Sequence, residues 1–198
     1  NNARFQPRAR RLDYTAPMDD AHVVALAARL HGNKHVEELE LVASSNVYGR
    51  TDTYSPFGCD GMHALANVLP HCAIRTLLLG SNRHIGDVAA TALAPVLPRC
   101  VQLTTLVLWN CNITDATLHT LATCLTESSS YLRYLRVAHN SNVTTDGVVA
   151  LIGALPHARI EILDVRETGG SEAAVMEAFA DVVPRCPLLY DFNFSGCP

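Results

Sequence analysis

The chain lacks the short motifs by which most catalytic and metal centres are recognised. It contains no GxGxxG, no GxxxxGK[ST], no GxSxG and no HExxH. Its seven cysteines include no CxxC pair, so a zinc site has no usual starting point. Charge of either sign is sparse, at 17% of residues with a net −4, which argues against bulk nucleic-acid binding because phosphate recognition needs a basic surface. No apolar run approaches the roughly 20 residues of a membrane-spanning helix. No leader pattern precedes the first elements. Aromatics make up only 6% of the chain, with a single tryptophan, so the position of Trp109 carries information.

Among 198 residues, 48% of them hydrophobic, the apolar ones recur in a fixed phrase. Leu103-x-x-Leu106-x-Leu108 matches Ile74-x-x-Leu77-x-Leu79 and Leu132-x-x-Leu135-x-Val137. It matches Ile160-x-x-Leu163-x-Val165 and Leu189-x-x-Phe192-x-Phe194 as well. The phrases start at positions 74, 103, 132, 160 and 189, a nearly constant period. Val36-x-x-Leu39-x-Leu41 fits too, but the wider step from 36 to 74 implies an insertion. Leu12-x-Tyr14 fits more poorly and marks a degenerate first repeat over 9–35. A period of this size predicts a solenoid, because one unit cannot bury its own apolar face and stacked units can.

Each phrase leads into a helix signal. Thr114-Asp115 precedes Leu118, Leu121 and Leu125; Thr145-Asp146 precedes Val148, Leu151 and Leu155. Ser171 and Asp60 stand before similar stripes. Such side chains accept the unpaired N–H groups of a first turn, and apolar residues three and four apart form one buried stripe. Pro95 should shorten or kink the helix that contains Leu93. Three helices run into a shared turn, Leu69-Pro-His-Cys72, Leu97-Pro-Arg-Cys100 and Val183-Pro-Arg-Cys186, and Leu155-Pro-His-Ala158 is a variant. Cysteine there is expected as a small buried plug rather than a reactive thiol. Thiols without disulfides imply a reducing compartment, hence an intracellular and cytoplasmic location.

These residues resemble the leucine-rich repeat family, LxxLxLxxN/CxL, with Asn82, Cys111, Asn140 and Cys197 at the N/C position and Ser44 and Thr168 departing from it. The unit length and the helix in every unit resemble the ribonuclease-inhibitor-like subclass. The resemblance implies an α/β leucine-rich-repeat solenoid of about six to seven repeats. A curved parallel sheet would line the concave side and helices the convex side. It covers residues 9–198, with 1–8 read as a tail or linker. The chain stops at Phe194-Ser-Gly-Cys-Pro198, after a strand signal and before any helix, which reads as a truncation within a repeat and a piece of a longer protein.

If the recurring leucines face the helices, the residues between them line the open face. Leu78, Val107, Trp109, Tyr134 and Ile162 then form an apolar patch. Glu38 and Glu40 flank it on one side, and Arg136, Asp164 and Arg166 on the other. Aromatic surface with a charged rim is the profile of an interface. The plainer reading of Leu78 and Val107 is β-propensity alone. A second candidate is the insertion at 45–59, where Tyr48, Arg50, Tyr54 and Phe57 offer contact area. A loop bulge without function accounts for it equally.

The function expected is a non-enzymatic protein-interaction scaffold within a larger protein or complex. Its partner would be a protein, with no cofactor, metal, nucleic acid, membrane or small-molecule substrate. The resemblance also implies an alternative, since the ribonuclease-inhibitor-like subclass includes activators of the small GTPase Ran. Those use an arginine on a strand-to-helix loop, a position held here by Arg50 and Arg83.

Overall fold

A computed structural model describes residues 10–14, 18–42, 57–127 and 130–197. Strands and helices alternate along the chain: β1 (Arg11–Asp13), α1 (Asp20–Leu30), β2 (Glu38–Glu40), α2 (Cys59–Val68), β3 (Thr76–Leu78) and α3 (Val88–Leu93). They continue as β4 (Thr105–Val107), α4 (Asp115–Glu127), β5 (Tyr134–Arg136), α5 (Thr145–Ala154), β6 (Ile162–Asp164), α6 (Glu172–Val182) and β7 (Asp191–Asn193). The seven strands form one parallel sheet in chain order. Register carries the repeat through it: Leu12, Leu39, Leu77, Leu106, Leu135, Leu163 and Phe192 pair in sequence. The fold is the expected α/β leucine-rich-repeat solenoid. Helices need about 10 Å each and parallel strands about 4.8 Å, so a stack of such units places its strands on the inside.

The core lies between sheet and helices. Leu39, Leu77, Leu106, Leu135 and Leu163 are fully buried, as are Leu65, Leu93, Leu118 and Leu151 from the helices. Burying each such side chain contributes roughly 1.5–3 kcal/mol. The expected shortening next to Pro95 is present, since α3 spans only 6 residues. The Leu-Pro phrases form 3-10 turns at Leu69–His71, Leu97–Arg99, Leu155–His157 and Val183–Arg185, with proline where its missing N–H is not needed. Cys72, Cys100 and Cys186 are buried behind those turns, each thiol directed at a backbone carbonyl.

Helix starts are capped in part by the preceding repeat, which a repeat read in isolation could not reveal. Asp20 of α1 accepts from the Gly58 and Gly61 amides at 2.8 and 2.7 Å. Asp87 accepts from the Thr114 amide and from the hydroxyls of Thr114 and Thr117. Asp115 does the same for the amide and hydroxyl of Thr144. Each carboxylate therefore sits between two positive helix ends. The N-cap of α5 is Thr144 rather than Thr145, whose hydroxyl instead accepts from the Ser171 amide. Asp60 lies inside α2, and Gly58 holds the cap position without a side chain to offer.

Asparagine closes the strand-to-helix turns. The Asn140 amide group donates to the carbonyls of Leu108, Val137 and Ala138, and its Oδ1 accepts from the amides of Cys111 and Ile113. Asn82 makes the corresponding donations to Leu41, Leu79 and Gly80. Thr168 and Cys197 occupy the same place in later repeats with fewer bonds.

Candidate interaction face on the parallel sheet

Past β3, β4, β5 and β6 the ladder runs on beyond the strand. Ser81 bonds the carbonyl of Trp109, Asn110 that of Ala138, His139 that of Arg166, and Glu167 that of Ser195. There the chain turns away through a residue with left-handed backbone: Ser81, Asn110, His139, Glu167 and Gly196, at φ of 62, 53, 58, 50 and 74°. Four of the five are not glycine, and each such conformation costs on the order of 1 kcal/mol. Their side chains form a row along one rim of the sheet. Asn110 donates to the Ser81 hydroxyl at 3.3 Å, and His139 Nδ1 stands 3.0 Å from a Glu167 oxygen. Arg83 donates to Asn110 Oδ1 at 3.2 Å. Arg83, Asn110, Asn112, His139 and Asn142 line a polar cleft of about 100 Å³ behind that row.

Inside the rim lies the open face. Arg11, Glu38, Thr76, Thr105, Tyr134, Ile162 and Asp191 form one row across the strands, and Asp13, Glu40, Leu78, Val107, Arg136, Asp164 and Asn193 the next. Trp109 follows β4 and is half-buried. Its indole leans over Gly80: a Cβ there would stand 1.9 Å from Nε1. His139 meets the ring edge-on, with centroids 6.0 Å apart, and the Arg136 guanidinium carbon stands 5.7 Å from the ring centroid.

Several expected site residues take different roles from those their spacing suggested. Phe57, expected as a contact in the insertion, is fully buried in the core, because the chain re-enters the sheet-to-helix layer just ahead of α2. Asp164, expected as a rim charge, has a side chain only 6% exposed. It accepts two bonds from Arg166 at 2.9 and 2.8 Å and lies 3.1 Å from Arg136 Nε, so it is an anchor for two cations. Those bonds hold Arg166 still more firmly protonated than usual. Val107 is on the open face but 6% exposed, in the row between Leu78 and Arg136. Glu38 and Glu40 both pair with Arg11, while Leu78, Tyr134 and Ile162 are half-buried on the face. Tyr48, Arg50 and Tyr54 lie outside the described residues.

The rim row was not identified from spacing alone. Ser81, Asn110, His139 and Glu167 share a repeat position but no chemistry, so only their common backbone conformation unites them. Among the described residues no group of His, Cys, Asp or Glu is arranged to hold a metal ion, and no disulfide is formed. None of the described helices is long and apolar enough to cross a membrane.

Residues 128–151 match the family model described as Leucine Rich repeat, which covers part of one repeat and the helix start that follows. No curated protein matches the chain. Among solved structures, the chain is similar to one titled "Crystal structure of Rad7 and Elc1 complex in yeast", at 12% identity and a TM-score of 0.37. The match covers 93% of this chain and 56% of that one, so the chain spans little more than half its length.

Proposed function

We propose that this solenoid is a protein-interaction module whose contact surface is the open strand face around Trp109. One observation carries the reading. The only tryptophan stands on the solvent side of the sheet, packed on Gly80 and bordered by Arg136 and His139, with Tyr134 further along the neighbouring strand on the same face. Tryptophan, tyrosine and arginine contribute most to binding at interfaces when they share one desolvated patch. The remaining chemistry of the face is that of recognition. Four of its carboxylates, Asp13, Glu38, Glu40 and Asp164, are already paired with guanidiniums. The module belongs to the ribonuclease-inhibitor-like subclass, on the strength of its unit length and the helix in each unit. A reducing, cytoplasmic setting suits the buried thiols.

Paired substitutions Trp109→Ala and Tyr134→Ala test the reading. Both side chains are half-buried on the face and outside the leucine spine, so helicity and the melting transition should persist. Affinity capture by the altered protein should lose the partners retained by the unaltered one. Unchanged capture would remove the strand face as the site.

A further inference from the structure

Two ion clusters on the open face are built as opposites. On β1 and β2 one cation serves three carboxylates. Arg11 stands 3.2 Å from Glu38 and 3.7 Å from Asp13, and it pairs with Glu40. One positive and three negative charges leave that end at −2. On β5 and β6, one carboxylate, Asp164, serves Arg136 and Arg166, with a separation of 3.1 Å to the first and 2.8 Å to the second. Two positive charges and one negative leave that cluster at +1, with Asp191 on the next strand beyond it and Glu167 acting on Arg166 from the rim. Among the described residues no other acid pairs with either arginine, and each guanidinium retains N–H donors beyond those Asp164 occupies.

The two strands between the clusters carry no charge on this face. Thr76 and Leu78 come from β3, Thr105 and Val107 from β4, with Trp109 after them. Register places Glu40, Leu78, Val107 and Arg136 side by side on consecutive strands. Three parallel-strand spacings separate the poles, about 14 Å. The face is therefore a negative pole, an apolar shelf and a positive pole in a row. A polyanion would meet the −2 end with repulsion along its length, which argues against RNA or DNA lying across the trough.

Building on the reading of this face as the interface, we infer that its occupant is a protein segment of matching order: an acidic side chain, an apolar or aromatic one, then a basic one. The acidic group docks on Arg136 and Arg166, the apolar group on Leu78 and Trp109, and the basic group on Glu38 and Glu40. The segment crosses the strands, spanning the poles with about four residues of extended chain or about nine of helix. Asp164 is what makes the positive pole usable. It fixes the Arg166 guanidinium with two bonds and holds that of Arg136 alongside by charge, and a carboxylate can meet two neighbouring guanidiniums with two bonds.

The probe is a phage-displayed library of random linear peptides, selected on the whole protein, followed by synthetic tryptophan-free peptides of the enriched sequences. Each is titrated against Trp109 fluorescence. Enriched sequences should carry an acid and a base on either side of an apolar residue. Replacing the peptide's acidic residue by its amide should weaken binding about tenfold. The same replacement should matter much less against Arg166→Gln, and Arg166→Lys should restore part of the difference. Peptides that alter Trp109 emission with no demand for an acidic residue would refute the inference and leave the face standing as an interface. Peptides that bind without altering that emission, or a selection that yields no binder, would count against both.

Discussion

The Trp109 indole occupies the volume that a side chain at position 80 would need, with Nε1 only 1.9 Å from where a Cβ on Gly80 would sit. Gly80 is buried beneath it two residues past β3, and the two positions correspond to one another in neighbouring repeats. The orientation of the tryptophan is thus a property of its neighbour.

Gly80→Ala should therefore move the indole without unfolding the solenoid. The backbone at Gly80 is not left-handed, so alanine is compatible with the local conformation. The expected result is a red shift in emission and easier quenching by iodide. The cost in stability should be about 1 kcal/mol, in the range for mild overpacking. Emission identical to that of the unaltered protein would show that the ring does not rest on this glycine.

Asn140→Ala should be among the most destabilising single changes. The side chain is 1% exposed and makes bonds to three carbonyls and two amides of two adjoining turns. Removing it strands several buried backbone groups, for an expected loss on the order of 3 kcal/mol. Thr168→Ala, at the same repeat position, removes a bond to the Val165 carbonyl and a weaker contact with the Cys197 thiol and should lose about 1 kcal/mol. Urea denaturation of the two variants side by side checks the ranking.

Acid should weaken the cap that Asp87 provides. Burial pushes its pKa upward, but bonds donated by Thr117 and Thr114 outweigh that and bring it below its ordinary value of 3.8. A carboxylate with a depressed folded-state pKa contributes stability above its unfolded value. That contribution disappears as pH falls through the lower, folded value. Unfolding curves between about pH 2 and 7 should show a shallower acid loss for Asp87→Asn than for the unaltered protein. Parallel curves would mean the carboxylate is not linked to folding.

Thiol chemistry should separate the cysteines by burial. Desolvation pushes Cys100 and Cys111 up to about 12, and raises Cys72 and Cys186. Cys59 is exposed at the start of α2. Iodoacetamide at neutral pH should modify Cys59 first in the native protein. The four raised thiols should react only after denaturant is added, as peptide mass mapping would record. Early alkylation of Cys111 would contradict its buried place behind the Leu79 carbonyl.

Much of this fold is written along the chain. A strand exposes alternate side chains, so a Leu-x-Leu that recurs once per unit already declares which positions face the helices and that Trp109 does not. The stripe of Leu118, Leu121 and Leu125 announces α4 in the same local way. Proline in the shared turn phrase marks where α2, α5 and α6 give way to a 3-10 turn. These are short-range regularities, set by backbone geometry within one unit, and a linear reading captures them.

Contacts between units obey no such rule. Nothing local to Asp164 indicates that it is buried between arginines from its own repeat and the one before. Nothing local to Asp87 indicates that it caps the helix of the next repeat, or to Phe57 that it belongs to the core. Whether a polar side chain on a strand meets solvent, a cation or an aromatic ring depends on the residue brought alongside it by stacking. The sequence by itself determined the repeat, the buried spine and the face that holds the tryptophan, because those follow from backbone periodicity. Only the tertiary structure decided how that face is charged and which side chains it keeps, because both depend on neighbours that are about 4.8 Å away across the sheet and a whole repeat away along the chain.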